Sequence, residues 1–166
     1  ATVILDKLLK NPFNSEIKDF SVTLNADYKL LDVQVVKNNF TKKFKNSSSL
    51  YYIKRLRRLK NNEVYLISRA YIPIEIVGKN VDKKIFKDKN LLDVLMNDFK
   101  INIKKSNQEV SAVNLSKNDS GLFNTAKGYP AILNTWNLYD ISDRFVILDR
   151  GEVIHKLDKQ DVASAE

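Results

Sequence analysis

The stretch YYIKRLRRLKNNEVYLISRAYIP, at residues 51–73, constrains the fold more than any other part of the chain. Two runs rich in Tyr, Ile, Leu and Val flank the polar pair Asn61-Asn62, and these residue types favour strands. Because Asn tolerates a positive φ, the pair is predicted to form a two-residue turn with Lys60 opposite Glu63. The stretch is therefore a predicted β-hairpin. Its basic side chains leave three interpretations open: a nucleic-acid patch, a solvated charged edge, or the wall of an anion pocket.

The two arginines of the first arm are predicted to share one face of the hairpin. Side chains alternate along a strand, and counting back from the turn puts Arg57 opposite Leu66 and Arg55 opposite Ser68. Two guanidiniums on a largely apolar face are costly unless an anionic group pairs with them. A forked guanidinium suits a phosphate or a carboxylate. The pair therefore either binds a small anion or is neutralised by Asp or Glu of the protein itself, which is the commoner fate of partly buried arginine.

The remaining chain predicts an α+β domain. Further strands are predicted at residues 29–38, 101–114, 131–139 and 144–156. A helix is predicted to begin after Asn90, a residue type that caps helices, because apolar residues recur there with helical spacing. The residues on its apolar face are Leu91, Leu92, Leu95 and Phe99. A sheet of about six strands with a few short helices, linked mostly as hairpins, predicts an antiparallel architecture.

Both ends of the chain are predicted to lie outside the main domain. Residues 1–27 are interpreted as a lead-in, loosely helical in spacing as far as Leu9 and with Asn14 as the cap of a short helix. Residues 158–166 are interpreted as a polar tail. Residues 28–157 then form one domain, as expected for a chain of 166 residues. The sequence does not begin with Met, so we expect it to be a piece of a longer protein.

The composition narrows the function. A formal net charge of +8 favours anionic partners such as nucleic acid or phosphorylated metabolites, and lysines used only for solubility explain it equally well. Cys is absent, which excludes disulfides, thiolate metal sites and a Cys nucleophile and fits a reducing cytoplasm. The lone histidine, His155, supports neither a catalytic triad nor a metal site and is predicted to be structural. No glycine-rich phosphate motif is present, so no cofactor is predicted.

The order of motifs along the chain resembles a known family. The motifs are Arg55-Leu56-Arg57, a tight turn, a strand ending Tyr71-Ile72-Pro73, Asn90-Leu91 at a helix start, Gln108 in a strand, and GYPAILNTWNLYD at residues 128–140. This succession, over residues 28–157, resembles the UTRA domain. That domain is the effector-binding half of GntR-type transcriptional regulators of the HutC-like group.

The resemblance implies both a fold and a function. It implies a chorismate-lyase-like fold without lyase activity, a pocket for a small molecule such as a phosphorylated sugar, and a homodimer formed through this domain. It also implies an upstream winged helix-turn-helix domain that binds operator DNA in a bacterial cytoplasm. No helix-turn-helix pattern is present in the lead-in, so we expect the chain to be the effector domain alone. No membrane partner is expected, because no apolar run is long enough to span a bilayer.

The resemblance also implies a set of effector contacts. Arg55 and Arg57 match the family's paired arginines on the pocket-facing strand, and Asn90-Leu91 matches a Ser-Leu pair at a helix start, where free N–H groups suit phosphate. The chain departs from the family where Tyr28-Lys29 replaces Ser-Arg and where Ser68 replaces a Glu that grips sugar hydroxyls. These departures favour a smaller or more anionic effector than an amino-sugar phosphate. The predicted contacts are Tyr28, Lys29, Arg55, Arg57, Ser68, Asn90, Leu91 and, from the closing strand, Arg150.

Two other functions are weighed against the sensor. The basic surface would bind nucleic-acid backbone directly if its charges formed a platform with exposed aromatic residues, but the lysines cluster in loops. A lyase-like enzyme would require an acid–base pair, and the sequence offers no convincing one. The sequence therefore favours a ligand-binding regulatory domain, with direct nucleic-acid binding as the alternative.

Overall fold

The computed structural model describes residues 2–8 and 27–154. In these residues one sheet contains β1 (Thr2–Leu8), β2 (Asp27–Lys37), β3 (Ser49–Arg58), β4 (Val64–Pro73), β5 (Ile103–Asn114), β6 (Pro130–Asp140) and β7 (Phe145–Val153). The helices are short: α1 (Ile74–Val77), a 3-10 turn (Lys83–Phe86), α2, which begins as an α-helical turn (Leu91–Asp93) and continues as a π-helical turn (Val94–Asp98), and α3 (Lys117–Leu122). The predicted α+β class, with an antiparallel sheet and a few short helices, is confirmed.

The sheet is built from two antiparallel meanders that meet in its middle. The strand order is β1-β5-β6-β7-β4-β3-β2, and every neighbouring pair is antiparallel. β2, β3 and β4 form one meander, and β5, β6 and β7 form the other. The pairing of β4 with β7, with Leu66 opposite Val153 and Tyr71 opposite Leu148, joins them. Residues from distant parts of the sequence therefore share one face at this junction.

One strand more than the predicted six comes from the start of the chain. The apolar spacing there predicts a loose helix, but Thr2–Leu8 is a strand that pairs with β5, with Thr2 opposite Ser111. That prediction is wrong because the run of Thr, Val and Ile is β-branched, and because β5 otherwise leaves a row of backbone groups unpaired at the sheet edge. The predictions that lie outside the described residues are the cap at Asn14, the structural role of His155 and the tail at residues 158–166.

The register of the central hairpin agrees with the count made from the sequence. Arg57 pairs with Leu66, and Arg55 pairs with Ser68. Paired residues of an antiparallel ladder lie on the same face, so both arginines, Leu66 and Ser68 face the same side of the sheet.

The turn of this hairpin is longer than the predicted two-residue turn. The Leu59 N–H donates to the Glu63 carbonyl at 2.8 Å, so residues 59–63 form the connection and Lys60 does not pair with Glu63. The register shifts by one residue between Arg57 and Arg58, and this shift compensates for the longer turn. From Arg57 toward the start of β3, the pairing is therefore the predicted one. Asn62 has the expected positive φ, of 65°.

Helical segments cover one face of the sheet with the main core. The chain from α1 through α2 packs against Tyr51 and Ile53 of β3 and contributes Phe86, Val94 and Leu95, each 0% exposed. Burial of side chains of this size stabilises the fold by about 1.5–3 kcal/mol each. The predicted apolar face of α2 is confirmed: Leu91 and Leu95 belong to this core, and Leu92 and Phe99 pack against it.

The opposite face carries a smaller core under α3. Leu56 of β3 and Ile67 of β4 pack there with Phe123, which directly follows α3. Both faces of the central strands are thus covered, so their polar residues are held in fixed positions. None of the helices in the described part of the chain is long and apolar enough to cross a membrane.

Candidate functional site

A cavity of about 170 Å³ lies between the sheet and the start of α2. Inward-facing residues of β2 to β7 form its floor, and the first residues of α2 form its roof. The residues that line it are Tyr28, Arg55, Arg57, Leu66, Ser68, Asn90, Leu91, Leu92, Ser106, Trp136, Leu138, Ile147 and Asp149. The structure therefore brings together most of the predicted contacts: Tyr28, Arg55, Arg57, Ser68, Asn90 and Leu91.

The two predicted arginines are buried in the cavity wall. Arg55 is 4% exposed and Arg57 is 7% exposed. The guanidinium carbon of each lies 4.2 Å from the centroid of the Tyr28 ring. A guanidinium over an aromatic face is stabilised by about 0.5–2 kcal/mol, with the larger values at desolvated positions. Tyr28 therefore holds both cations at the β2 side of the cavity.

Arg55 also connects the floor of the cavity to its roof. Its Nη1 donates hydrogen bonds to the backbone carbonyls of Phe86 and Lys89, just before α2. Within the described residues Arg55 forms no salt bridge, and its buried Nε has no hydrogen-bond partner. Burial lowers the pKa of Arg55, and the neighbouring Tyr28 and Asp149 oppose that shift. The alternative in which the protein's own carboxylates form ion pairs with the arginines is therefore not realised at Arg55.

Asp149 is a cavity residue that the sequence analysis did not select. The Ser68 hydroxyl donates a 2.7 Å hydrogen bond to its Oδ1. Burial raises the pKa of the Asp149 carboxyl, and the Ser68 hydrogen bond and the Arg55 charge oppose that rise. The position of Asp149 in the sheet would have identified it. Asp149 pairs with Ala70, which lies two residues from Ser68 along β4, so Asp149 and Ser68 are on the same face of the sheet.

Two predicted contacts lie on the other side of the sheet. Arg150 pairs with Arg69 and follows Asp149, so the alternation of the strand directs its side chain away from the cavity. Lys29 is exposed and pairs with Leu56, which belongs to the core of the opposite face. The prediction that Arg150 and Lys29 line the effector site is therefore corrected. Strand pairing places both residues on the face of the sheet opposite the cavity.

The roof contains the predicted helix cap. Asn90 Oδ1 accepts a hydrogen bond from the Leu92 N–H at 2.9 Å, which confirms Asn90 as the N-cap of α2. The cap occupies one of the N–H donors that the resemblance assigned to phosphate. Leu91 is 3% exposed and contributes an apolar part of the roof.

The β5 and β6 side of the cavity carries two further polar or aromatic residues that are absent from the predicted contacts. Ser106 is 0% exposed, and among the described residues its hydroxyl has no hydrogen-bond partner. Trp136 pairs with Asp149, is half-buried and lines the cavity. Ile132 lies on the same face of β6 as Trp136 and is 50% exposed. Burial thus differs along one face of β6, because the helical segments that cover the sheet do not extend over the whole strand.

Gly151 provides room at the cavity floor. A Cβ atom at this position would lie 2.9 Å from Leu66 Cδ1, closer than such atoms approach in proteins. Leu66 lines the cavity, so the absence of a side chain at Gly151 permits the observed position of the leucine.

The opposite face of the same strands carries a charged network. Arg69 donates to Asp119 of α3 and to Glu152 of β7, and Lys54 Nζ lies 3.5 Å from Asp119. Burial raises the pKa of Asp119, but hydrogen bonds with Glu152 and Arg69 outweigh this effect and hold that pKa below its ordinary value. Burial and the neighbouring Asp119 raise the pKa of Glu152. The network fastens α3 to β4 and β7, directly behind the cavity.

Solved structures share this fold. The SA0254 gene product of Staphylococcus aureus aligns with a TM-score of 0.69 and 21% identity, over 81% of this chain and 87% of that chain. The ligand-binding domain of a protein assigned as a GntR-family transcriptional regulator from Bordetella bronchiseptica aligns with a TM-score of 0.70 and 15% identity, over 81% and 89%. A GntR-family regulator of Enterococcus faecalis aligns with a TM-score of 0.67 and 18% identity, over 80% and 99%. The chain therefore shares its chorismate-lyase-like α+β fold with these three structures.

A family model identifies the chain more narrowly. The model of the UTRA domain matches residues 26–156, which is most of the sequence and includes every cavity-lining residue. The chain belongs to the UTRA domain family. No curated protein matches the sequence at a significant level.

Proposed function

We propose that this chain is the effector-binding domain of a bacterial transcriptional regulator of the HutC-like group, and that its effector is a small anionic metabolite such as a phosphorylated sugar. The observation that carries the proposal is the burial of Arg55 and Arg57 in the wall of a cavity. Membership of the UTRA family and the likeness to a domain described as ligand-binding support this class of function.

The energetics of the buried cations favour an anionic occupant. A guanidinium removed from water regains stability through hydrogen bonds and an opposite charge. For Arg55 the described protein supplies two backbone carbonyls and no salt bridge. A phosphate or carboxylate accepts two parallel N–H bonds from a guanidinium, and a hydrogen bond to a charged group contributes about 1.5–3 kcal/mol. The proposed effector contacts are Tyr28, Arg55, Arg57, Ser68, Asn90 and Leu91.

Control of DNA binding follows if the domain works as a cytoplasmic homodimer attached to a winged helix-turn-helix domain. An effector shifts the balance between two dimer arrangements only by the difference in its affinity for them. A ratio of about 100 between those affinities supplies about 2.8 kcal/mol for that shift. Binding in the cavity then alters the spacing of the two attached DNA-binding domains.

A metabolite screen tests the proposal. We expect thermal-shift and calorimetric screens of phosphorylated sugars and small carboxylates to find at least one that stabilises and binds the domain. Arg57→Ala is expected to weaken that binding by about tenfold or more, because it removes a charge-assisted contact. If none of these metabolites binds, or if the alanine variant binds as well as the wild type, the proposal is wrong.

Direct nucleic-acid binding is the second candidate, because the chain carries a net charge of +8. The buried arginines cannot take part in it, so it would depend on exposed residues such as Lys42 and Lys45. Backbone binding of this kind weakens steeply with salt. In a gel-shift assay of this chain with duplex DNA, the sensor function predicts weak or no binding, whereas tight, salt-sensitive binding supports the alternative.

No enzymatic activity is proposed. Asp149 is the one carboxylate among the described residues that line the cavity, so an acid–base pair of carboxylates is not formed there. Histidine is the side chain that most often acts as a general acid or base. The one histidine of the sequence, His155, lies outside the described residues.

A further inference from the structure

Asp149 shares the cavity with the two arginines without forming an ion pair to Arg55. The charge of Arg55 is close enough to oppose the burial-driven rise in the pKa of Asp149, yet no salt bridge joins the two side chains. Ser68 donates one hydrogen bond to Oδ1. An ionised carboxylate accepts about four hydrogen bonds, so Asp149 retains acceptor capacity toward the cavity.

The spacing between Asp149 and the arginines matches a small molecule. β3 and β7 both pair with β4, and adjacent strands lie about 4.8 Å apart. Arg55 is level with Ser68 and Gly151, so Asp149 is offset from it by two residues along the ladder, and the two backbones are separated by about 12 Å. Both side chains extend into the cavity and reduce the gap between their charged ends. One molecule with two polar groups joined by a short carbon chain therefore reaches both residues.

Ser106 adds a second polar group on the β5 side of the cavity. Its hydroxyl is fully buried and has no hydrogen-bond partner among the described residues. A buried polar group without a partner costs about 1–3 kcal/mol, which a polar ligand group would offset. The polar lining of the cavity therefore differs from strand to strand: β3 contributes two cations, β7 a hydrogen-bond acceptor and β5 a hydroxyl group.

We infer that Asp149 determines the specificity of the site, selecting effectors that carry a hydroxyl or ammonium group near the anionic group bound by Arg55 and Arg57, and rejecting effectors with a second anionic group. The inference rests on the proposed function. A donor on the effector completes the hydrogen bonding of the carboxylate. A second anion facing Asp149 either is repelled or requires a proton to be taken up first, and both lower the affinity. Asp149 therefore argues against the more anionic effector expected from the sequence.

Three phosphate esters of equal length test this inference. O-phosphoethanolamine carries an ammonium, 2-hydroxyethyl phosphate a hydroxyl and 2-phosphoglycolate a carboxylate, each two carbons from the phosphate oxygen. Titrations of the chain, followed by calorimetry or by amide chemical shifts, give their dissociation constants. We expect the first two to bind and 2-phosphoglycolate to bind about tenfold or more weakly than either, from the loss of one charged hydrogen bond and the added repulsion.

Asp149→Asn assigns the discrimination to one side chain. Asparagine keeps the size of the residue and an oxygen that accepts the Ser68 hydrogen bond, but it removes the charge. We expect this variant to bind the three esters with affinities within about threefold of one another, less than 1 kcal/mol apart. Asp143→Asn is the matched control, because Asp143 is an exposed turn residue outside this cavity with a φ of 59°, which Asn adopts readily. It is expected to discriminate as the wild type does.

The outcomes separate this inference from the proposed function. Equal binding of the three esters by the wild type, or discrimination that persists in Asp149→Asn, overturns the role of Asp149 and leaves the anion site intact. If neither the esters nor inorganic phosphate bind at all, the proposed anion site itself is wrong, and the inference falls with it.

Discussion

The Ser68 hydroxyl donates a 2.7 Å hydrogen bond to the Asp149 carboxylate, across the junction between β4 and β7. This bond links the two meanders on the cavity face, where Arg55 stands opposite Ser68 on the next strand. The site therefore depends on a junction between distant parts of the sequence and is formed only when the whole sheet is assembled.

The first prediction concerns Asp149 and pH. Burial raises the pKa of Asp149 in the folded protein above that in the unfolded chain, so its ionisation opposes folding. Stability from this group is greatest below the unfolded pKa and is lost as the pH rises through the folded pKa. Asp149→Asn is therefore expected to raise the melting temperature of the ligand-free protein at neutral pH, and the gain is expected to disappear in acid. A melting temperature lowered at neutral pH would contradict the account.

The second prediction concerns the network behind the cavity. Arg69→Ala removes the cation shared by Asp119 and Glu152, both of which are largely buried. Removing one partner from such a network is expected to lower the free energy of unfolding by about 2–4 kcal/mol, as measured by urea denaturation. The matched control is Arg58→Ala, which breaks an ion pair to Asp27, whose side chain is 61% exposed. A change of about 0–1 kcal/mol is expected there. Equal losses in the two variants would show that the network adds no stability of its own.

The third prediction concerns the room beneath Leu66. Gly151→Ala places a methyl group 2.9 Å from Leu66 Cδ1, so the flexible end of the leucine must move toward the cavity. We expect a loss of stability of about 1–3 kcal/mol from overpacking, together with weaker effector binding in calorimetry. Gly121→Ala is the control, because a methyl group there meets no atom within 4 Å; in α3 it is expected to stabilise by up to about 1 kcal/mol. Unchanged effector affinity in Gly151→Ala would place the binding site elsewhere.

Local patterns were sufficient to predict the parts of the fold that depend on neighbouring residues. The hairpin register that pairs Arg55 with Ser68 and the cap at Asn90 follow from strand alternation, turn chemistry and helix capping, all of which act over a few residues. The length of the turn was less predictable, because an irregularity beside Arg58 redistributes residues without changing the register beyond it.

Other features depend on contacts between distant segments. Thr2–Leu8 is a strand because β5 provides a partner, and nothing in its local spacing reveals that partner. The resemblance assigned Arg150 to the site, but a resemblance does not show which face of β7 the ladder with β4 gives to that residue. Ser106 carries no sequence signal at all, since a serine in a strand is ordinary until its burial and its unpaired hydroxyl are known.

The most direct test of the central claim, that Arg55 and Arg57 hold an anionic effector, is a calorimetric titration of the best phosphorylated binder with the wild type and with Arg57→Lys. Lysine keeps the positive charge and loses the fork that binds phosphate bidentately. The matched control is Arg58→Lys, because Arg58 does not line the cavity and forms an ion pair with Asp27. The account predicts that Arg57→Lys binds about tenfold or more weakly while Arg58→Lys binds as the wild type does. Equal affinity in all three proteins would contradict it.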